Sequence, residues 1–130
     1  MIHLVTGGSG SGKSAYAEQC ILDFGGIRRV YIATMQPFGA EGQARIVRHR
    51  KMRAAKQFST IECYTNLKEV ELEPGSDVLL ECMSNLTANE IFDPSGAGKA
   101  RAEEEILAGV SRLAHQARNL VLVTNEIFSD

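Results

Sequence analysis

Residues 7–14, GGSGSGKS, constrain this chain more than any other segment because of what flanks them. Before them, residues 2–6 (IHLVT) form a short apolar run rich in β-formers that ends in glycines, the pattern of a buried strand entering a turn. After them, Ala17, Cys20, Ile21 and Phe24 fall at i, i+3, i+4 and i+7, one apolar helical stripe, and Gly25 and Gly26 stop it. The alternation continues. Residues 29–34 (RVYIAT) read as a second strand, 36–42 as a loop, 43–56 as a basic helix, and 59–64 (STIECY) as a short strand. Past the Pro74, Gly75 turn, residues 77–82 (DVLLEC) make a strongly apolar strand tipped by Glu81, and helical patterning returns at 85–92. A loop at 93–98 precedes a long helix with Ile106, Leu107, Val110, Leu113, Ala114 and Ala117 on one face, and 119–124 (NLVLVT) is a last strand. Strands alternating with helices predict an α/β fold, a largely parallel sheet with helices on both faces.

The glycine-rich segment fits GxxxxGK[ST] between strand and helix, the setting that a P-loop requires. Across Gly7, Gly8, Ser9, Gly10, Ser11 and Gly12 the glycines let backbone N–H groups turn inward around phosphate oxygens. The helix start adds its positive dipole end, Lys13 a full charge, and Ser14 a hydroxyl that can ligate Mg²⁺. Glu81 resembles the acidic residue that follows an apolar strand beside such a loop, holding Mg²⁺ through water or binding a ribose hydroxyl; a solvated strand end would look the same. Asn125 and Glu126 share that edge of the sheet, either as site residues or as plain loop.

Composition narrows the partners. With 130 residues, 44% hydrophobic and 23% charged, the chain fits one globular domain, and a net charge of -2 does not suggest nucleic acid. The start lacks a basic, then apolar, export signal, and no run approaches the roughly 20 apolar residues that span a bilayer, so a soluble cytoplasmic protein without a membrane partner is expected. Cys20, Cys63 and Cys82 are too widely spaced for a disulfide framework, and His3, His49 and His115 have no metal-ligand spacing. Within this acidic chain, six cations gather at Arg45, Arg48, Arg50, Lys51, Arg53 and Lys56 around His49. Such a run fits a solvated helix face or a surface offered to phosphates, and a neutral imidazole there could attack the α-phosphorus of a nucleotide.

Together these segments resemble the bifunctional adenosylcobinamide kinase and adenosylcobinamide-phosphate guanylyltransferase family of cobalamin biosynthesis. The likeness rests on HLVTGGSGSGKSAYAE, VYIAT, ARIVRHRKMR, STIEC, VLLECMSNLTANEIF and VLVTNE, in the family's order across nearly all 130 residues. It implies a homo-oligomeric P-loop NTPase-like enzyme that phosphorylates a small-molecule corrinoid with ATP or GTP and then attaches GMP from GTP through a guanylylated His49. By the same likeness, nucleotide contacts fall on residues 7–14, on Ala33, Thr34 and Met35, on Arg50, Lys51, Met52 and Arg53, and on Glu62 and Glu81. The chain departs from the pattern at Gly10, where the family often has arginine, and at Ala54 and Phe58, where proline and tryptophan are common. The family also continues past VTNE, so the expectation is one P-loop domain over 1–130, incomplete at its carboxyl end, with apolar surface left exposed or covered by oligomer contacts. Another small-molecule P-loop kinase, with His49 acting only electrostatically, and a nucleotide-binding module without turnover are the competing expectations.

Overall fold

The chain alternates β1 (Ile2–Gly7), α1 (Lys13–Asp23), β2 (Arg28–Ala33), α2 (Gly39–Ala55), β3 (Phe58–Glu62), β4 (Ser76–Glu81), α3 (Met83–Phe92), α4 (Ala102–Gln116) and β5 (Asn119–Asn125), with a 3₁₀ turn at Leu67–Glu69. The computed structural model describes residues 1–8, 11–37 and 39–125. The strands pair in the order β1-β5-β4-β2-β3, every pair parallel, as the alternation of strands with helices predicts. β4 lies at the centre, and its run from Ser76 to Leu80 is buried, as befits a strand covered on both faces.

Because side chains alternate across a strand, the sheet carries two cores. Val30, Ile32, Val78, Leu80, Leu120 and Leu122 point to one face, where Leu86 of α3, Ile106 and Leu113 of α4, and Leu67 of the 3₁₀ turn cover them. Tyr31, Leu79, Val121 and Val123 point to the other, against Ala17 and Ile21 of α1 and Phe58 of β3. Helices therefore lie on both faces. β1 is an edge strand, and it leaves Ile2 and Leu4 exposed on the α4 side, where their register partners Leu120 and Leu122 are buried. Among the described residues, no helix is long and apolar enough to cross a membrane.

Several boundaries differ from expectation. α2 begins at Gly39 rather than at residue 43, so part of the expected 36–42 loop is helical. Glu41 sits in its first turn, where the helix dipole favours a carboxylate, and this helps offset the roughly 1 kcal/mol that each glycine costs a helix interior. β3 ends at Glu62, before Tyr64, and Cys82 caps α3 instead of extending β4, its Sγ accepting from Asn85 N. On α4, Leu107 is 60% exposed, whereas Ala102, Ile106, Gly109 and Leu113 form the buried stripe. At about 100° per residue, position 107 turns off the face that 102, 106, 109 and 113 share.

Candidate active site

In a parallel sheet every strand delivers its carboxyl end to the same edge, and register decides which residues meet there. Gly7 pairs with Asn125, and Ala33 pairs with both Glu62 and Glu81, so residues far apart in sequence end side by side. β1 stops at Gly7 and α1 starts at Lys13. Between them Gly12 takes φ +85°, a left-handed conformation that glycine adopts without a Cβ clash. Among the described residues α1 has no side-chain cap and no acidic residue in its first turn, so its N-terminal N–H groups and dipole are left for an anion. Lys13 Nζ donates to the Gly8 carbonyl at 3.3 Å, folding its charge back over the turn. Ser9 and Gly10 lie outside the described residues.

Glu81, at the tip of β4, is the hub of the edge. Its Oε2 accepts from Ser14 Oγ at the start of α1, and its Oε1 accepts from the Tyr31 hydroxyl at 2.8 Å. Burial, reinforced by the Glu81 carboxylate, pushes the Tyr31 phenol well above its ordinary range, so the hydroxyl stays a donor. The Arg53 guanidinium lies over the Tyr31 ring, 3.6 Å from its centroid. Arg53 is only 7% exposed and its Nε has no hydrogen-bond partner among the described residues, so it departs from the solvated face on which Arg45, Arg48, Arg50 and Lys51 lie. The reason is helical spacing, since Ile46, His49 and Arg53 at i, i+3 and i+7 share the face turned toward the sheet edge.

His49 is exposed and borders a cavity of about 360 Å³ together with Ser14, Met35, Met52, Arg53 and Glu81. A narrow cleft of about 40 Å³ next to it is lined by Ala33, Thr34, Met35, His49, Glu62 and Glu81. Half of the expected positions therefore meet at one place, whereas the described residues of the glycine-rich turn before Ser14 line neither cavity. Thr34 meets it with its hydrogen bonds already committed: its hydroxyl accepts from Cys82 N at 2.7 Å and donates to Cys82 O at 3.0 Å, and its carbonyl accepts from Asn89 Nδ2 at 2.8 Å. Arg50 is exposed and pairs with Glu62 on the outer wall. Lys51 is exposed and lies two residues past His49, about 200° around the helix, away from the cavity. Asn125 lines the cavity, with its N–H donating to Ser84 Oγ at 3.1 Å, whereas Glu126 lies outside the described residues.

Tyr31 is the site residue that the motifs pass over. Strand alternation puts Tyr31 on the same face as Ala33, but only the register that pairs Ala33 with Glu81 brings it to the site.

A parallel sheet whose first strand runs through a glycine-rich turn into an uncapped helix, with a hydroxyl and a carboxylate paired beside it, defines a P-loop-like nucleotide-binding α/β protein. Family-level similarity then narrows the class. A profile described as cobinamide kinase / cobinamide phosphate guanyltransferase matches residues 3–130. The bifunctional adenosylcobalamin biosynthesis protein CobU of Escherichia coli (strain K12) is 35% identical, the match covering 98% of this chain and 76% of that protein. The protein of the same name from Salmonella typhimurium (strain LT2) is 36% identical, with the same coverage of 98% and 76%. The chain belongs to the cobinamide kinase / cobinamide phosphate guanyltransferase family, enzymes of cobalamin biosynthesis.

Proposed function

We propose that His49 carries guanylyl transfer, with GTP as donor and cobinamide phosphate as acceptor. The supporting observation is the shared cavity wall on which His49, Arg53, Glu81 and Ser14 meet, directly after the glycine-rich turn. An imidazole nitrogen of His49 forms a bond to the α-phosphorus of GTP as the bond to the bridging oxygen breaks, and pyrophosphate leaves with the electron pair. A phosphate oxygen of cobinamide phosphate then attacks the same phosphorus. The N–P bond breaks, its electron pair returns to the ring, and a phosphoanhydride joins corrinoid and GMP.

The triphosphate would lie between the N-terminus of α1 with Lys13 and the cationic face of α2, where Arg53 offers its charge beside His49. For the kinase half, with ATP or GTP as donor, these same groups supply positioning and charge neutralisation around the transferred phosphoryl group. Ser14 Oγ and the Glu81 carboxylate are adjacent hard oxygen donors, the set that Mg²⁺ takes together with phosphate oxygens and water. Bound there with the nucleotide, the ion would neutralise charge on the phosphates. A homo-oligomer is part of the same reading, supported by the apolar Ile2 and Leu4 exposed on β1.

Incubation with α-labelled GTP and Mg²⁺ tests the covalent route. Label that stays on the denatured protein, survives base, is released by acid and is lost in His49→Ala is the expected result. A folded protein that binds GTP but takes no label would overturn it, leaving a kinase in which His49 acts only by its field.

A further inference from the structure

A second hollow lies away from the glycine-rich turn. An open cavity of about 830 Å³ lies where the loop after β3, the 3₁₀ turn and the start of the 93–98 loop converge. That volume sits near the upper end of the roughly 300–1,000 Å³ of small-molecule sites. Its floor includes Ile61 and Val70, its polar groups include Thr65, Asn66, Ser95 and Gln36, and its charged lining residues are Glu62, Glu69, Glu71 and Asp93. Among the described residues no lysine or arginine lines it, and while Arg50 and Arg112 pair with Glu62 and Glu71 from outside, Glu69 and Asp93 keep its lining acidic. Hydrogen bonds from the Ser95 hydroxyl, then from Gln36, hold the Asp93 carboxyl below its usual range, so it stays ionised. An acidic hollow repels a triphosphate and favours a cation.

Its position relative to His49 is equally specific. Glu62 and Tyr64 line this hollow and also the narrow cleft that His49, Arg53 and Glu81 border. A molecule seated in the hollow would thus be separated from the cleft that His49 borders by the shared wall of Glu62 and Tyr64. The ion pair of Arg50 with Glu62 stands at this wall, the place where an anionic arm crossing from one space to the other would meet a positive charge.

We propose that the acidic hollow is the acceptor site, taking the corrinoid body of cobinamide phosphate while its phosphate arm reaches through the Glu62 and Tyr64 wall to His49. The ligand chemistry fits: the acceptor is a large macrocycle with an apolar ring, a rim of amides and positive charge at its cobalt, and the hollow offers an apolar floor, amide and hydroxyl partners, and carboxylates. The assignment rests on the guanylyl-transfer reading for its geometry, but the binding itself can be measured separately.

Glu69 and Glu71 are exposed, so the double substitution Glu69→Lys, Glu71→Lys reverses the charge of the rim without disturbing a core. Two measurements on this variant and the unsubstituted protein decide the matter. The first is equilibrium binding of cobinamide phosphate without nucleotide, followed by the corrinoid absorbance. The second is self-labelling with α-labelled GTP. Affinity for the corrinoid should fall by roughly tenfold or more, with labelling by GTP changed by less than about twofold. Thr65→Trp, which fills the hollow without changing charge, should weaken the corrinoid in the same way. Unchanged corrinoid affinity in both variants, or no corrinoid binding to the unsubstituted protein, would overturn the proposal, and so would a loss of GTP labelling as large as the loss of corrinoid affinity. Absence of label from the unsubstituted protein would instead sink the covalent reading and leave the binding result standing.

Discussion

Tyr31 does three things at once: its ring fills the α1-side core, its face carries the Arg53 guanidinium, and its hydroxyl fixes one oxygen of Glu81. Glu81 in turn holds Ser14, so the phenol orients a carboxylate that is itself placed to serve the nucleotide. A partner of this kind is commonly worth 10- to 100-fold in activity while adding only about 1 kcal/mol to stability. Tyr31→Phe should therefore slow self-labelling by GTP roughly tenfold, while the urea midpoint moves little because the ring and its contact with Arg53 remain. A labelling rate equal to that of the unsubstituted protein would show that Glu81 needs no such orientation. Neither role was legible in the sequence. Tyr31 reads as an ordinary strand residue and Arg53 as one of six cations, and only the register of β2 on β4 and the turn of α2 bring them to the same carboxylate.

At the scale of elements, the contact between α4 and the 3₁₀ turn is the one that periodicity reads poorly. The turn is three residues long, and its sequence signal is a single leucine, yet Leu67 is fully buried against α4. The partner is Gly109, where an added Cβ would meet Leu67 Cβ at 2.7 Å and Lys68 N at 3.0 Å. A stripe drawn from large apolar residues selects Leu107 and misses the glycine, because close approach is signalled by a side chain that is not there. Gly109→Ala should thus be destabilising by about 1–2 kcal/mol, the overpacking cost exceeding the gain in helix propensity. A urea midpoint at or above that of the unsubstituted protein would contradict this packing.

The same contact carries a pH signature. Lys68 Nζ meets Glu105 Oε2 at 2.7 Å, and this hydrogen bond is the main reason that the Glu105 carboxyl is lowered and the Lys68 ammonium raised. With its folded value below the ordinary 4.5, Glu105 contributes fully above that pH and loses its contribution as pH falls through the lower folded value. Lys68, with its folded value above the ordinary 10.5, contributes fully below that pH and loses it as pH rises further. Glu105→Gln should consequently lower the urea midpoint at neutral pH, and the gap to the unsubstituted protein should close in acid. A gap that persists unchanged through the acid range would assign the effect to packing instead of charge.

Across the whole molecule, the apolar runs placed the strands and the two-sided core correctly, because a parallel sheet buried on both faces writes itself as continuous hydrophobic segments. What they could not convey was how firmly each element is held. α1 buries Ala17 and Ile21, α3 buries Leu86 and Glu90, and α4 buries four positions, whereas α2, the longest helix described, buries only Arg53. The element that carries His49 is thus attached to the sheet with little burial, through the Arg53 guanidinium on Tyr31 and the Arg50 ion pair with Glu62. Elements with few buried contacts open at low free energy, and a ligand that bridges such an element to the rest stabilises it selectively. GTP bound between the N-terminus of α1 and the cations of α2 would be such a bridge. Hydrogen exchange of the free protein should accordingly show fast-exchanging amides over 39–55 and slow ones over β4. On adding GTP with Mg²⁺ at about 100 times its Kd, protection in α2 should rise by up to roughly 100-fold, following the linkage of binding to opening, while β4 changes less. Protection in α2 that is already as high as in β4 without nucleotide, or that does not respond to it, would mean that the histidine stands on a rigid helix and that the nucleotide does not reach across to it.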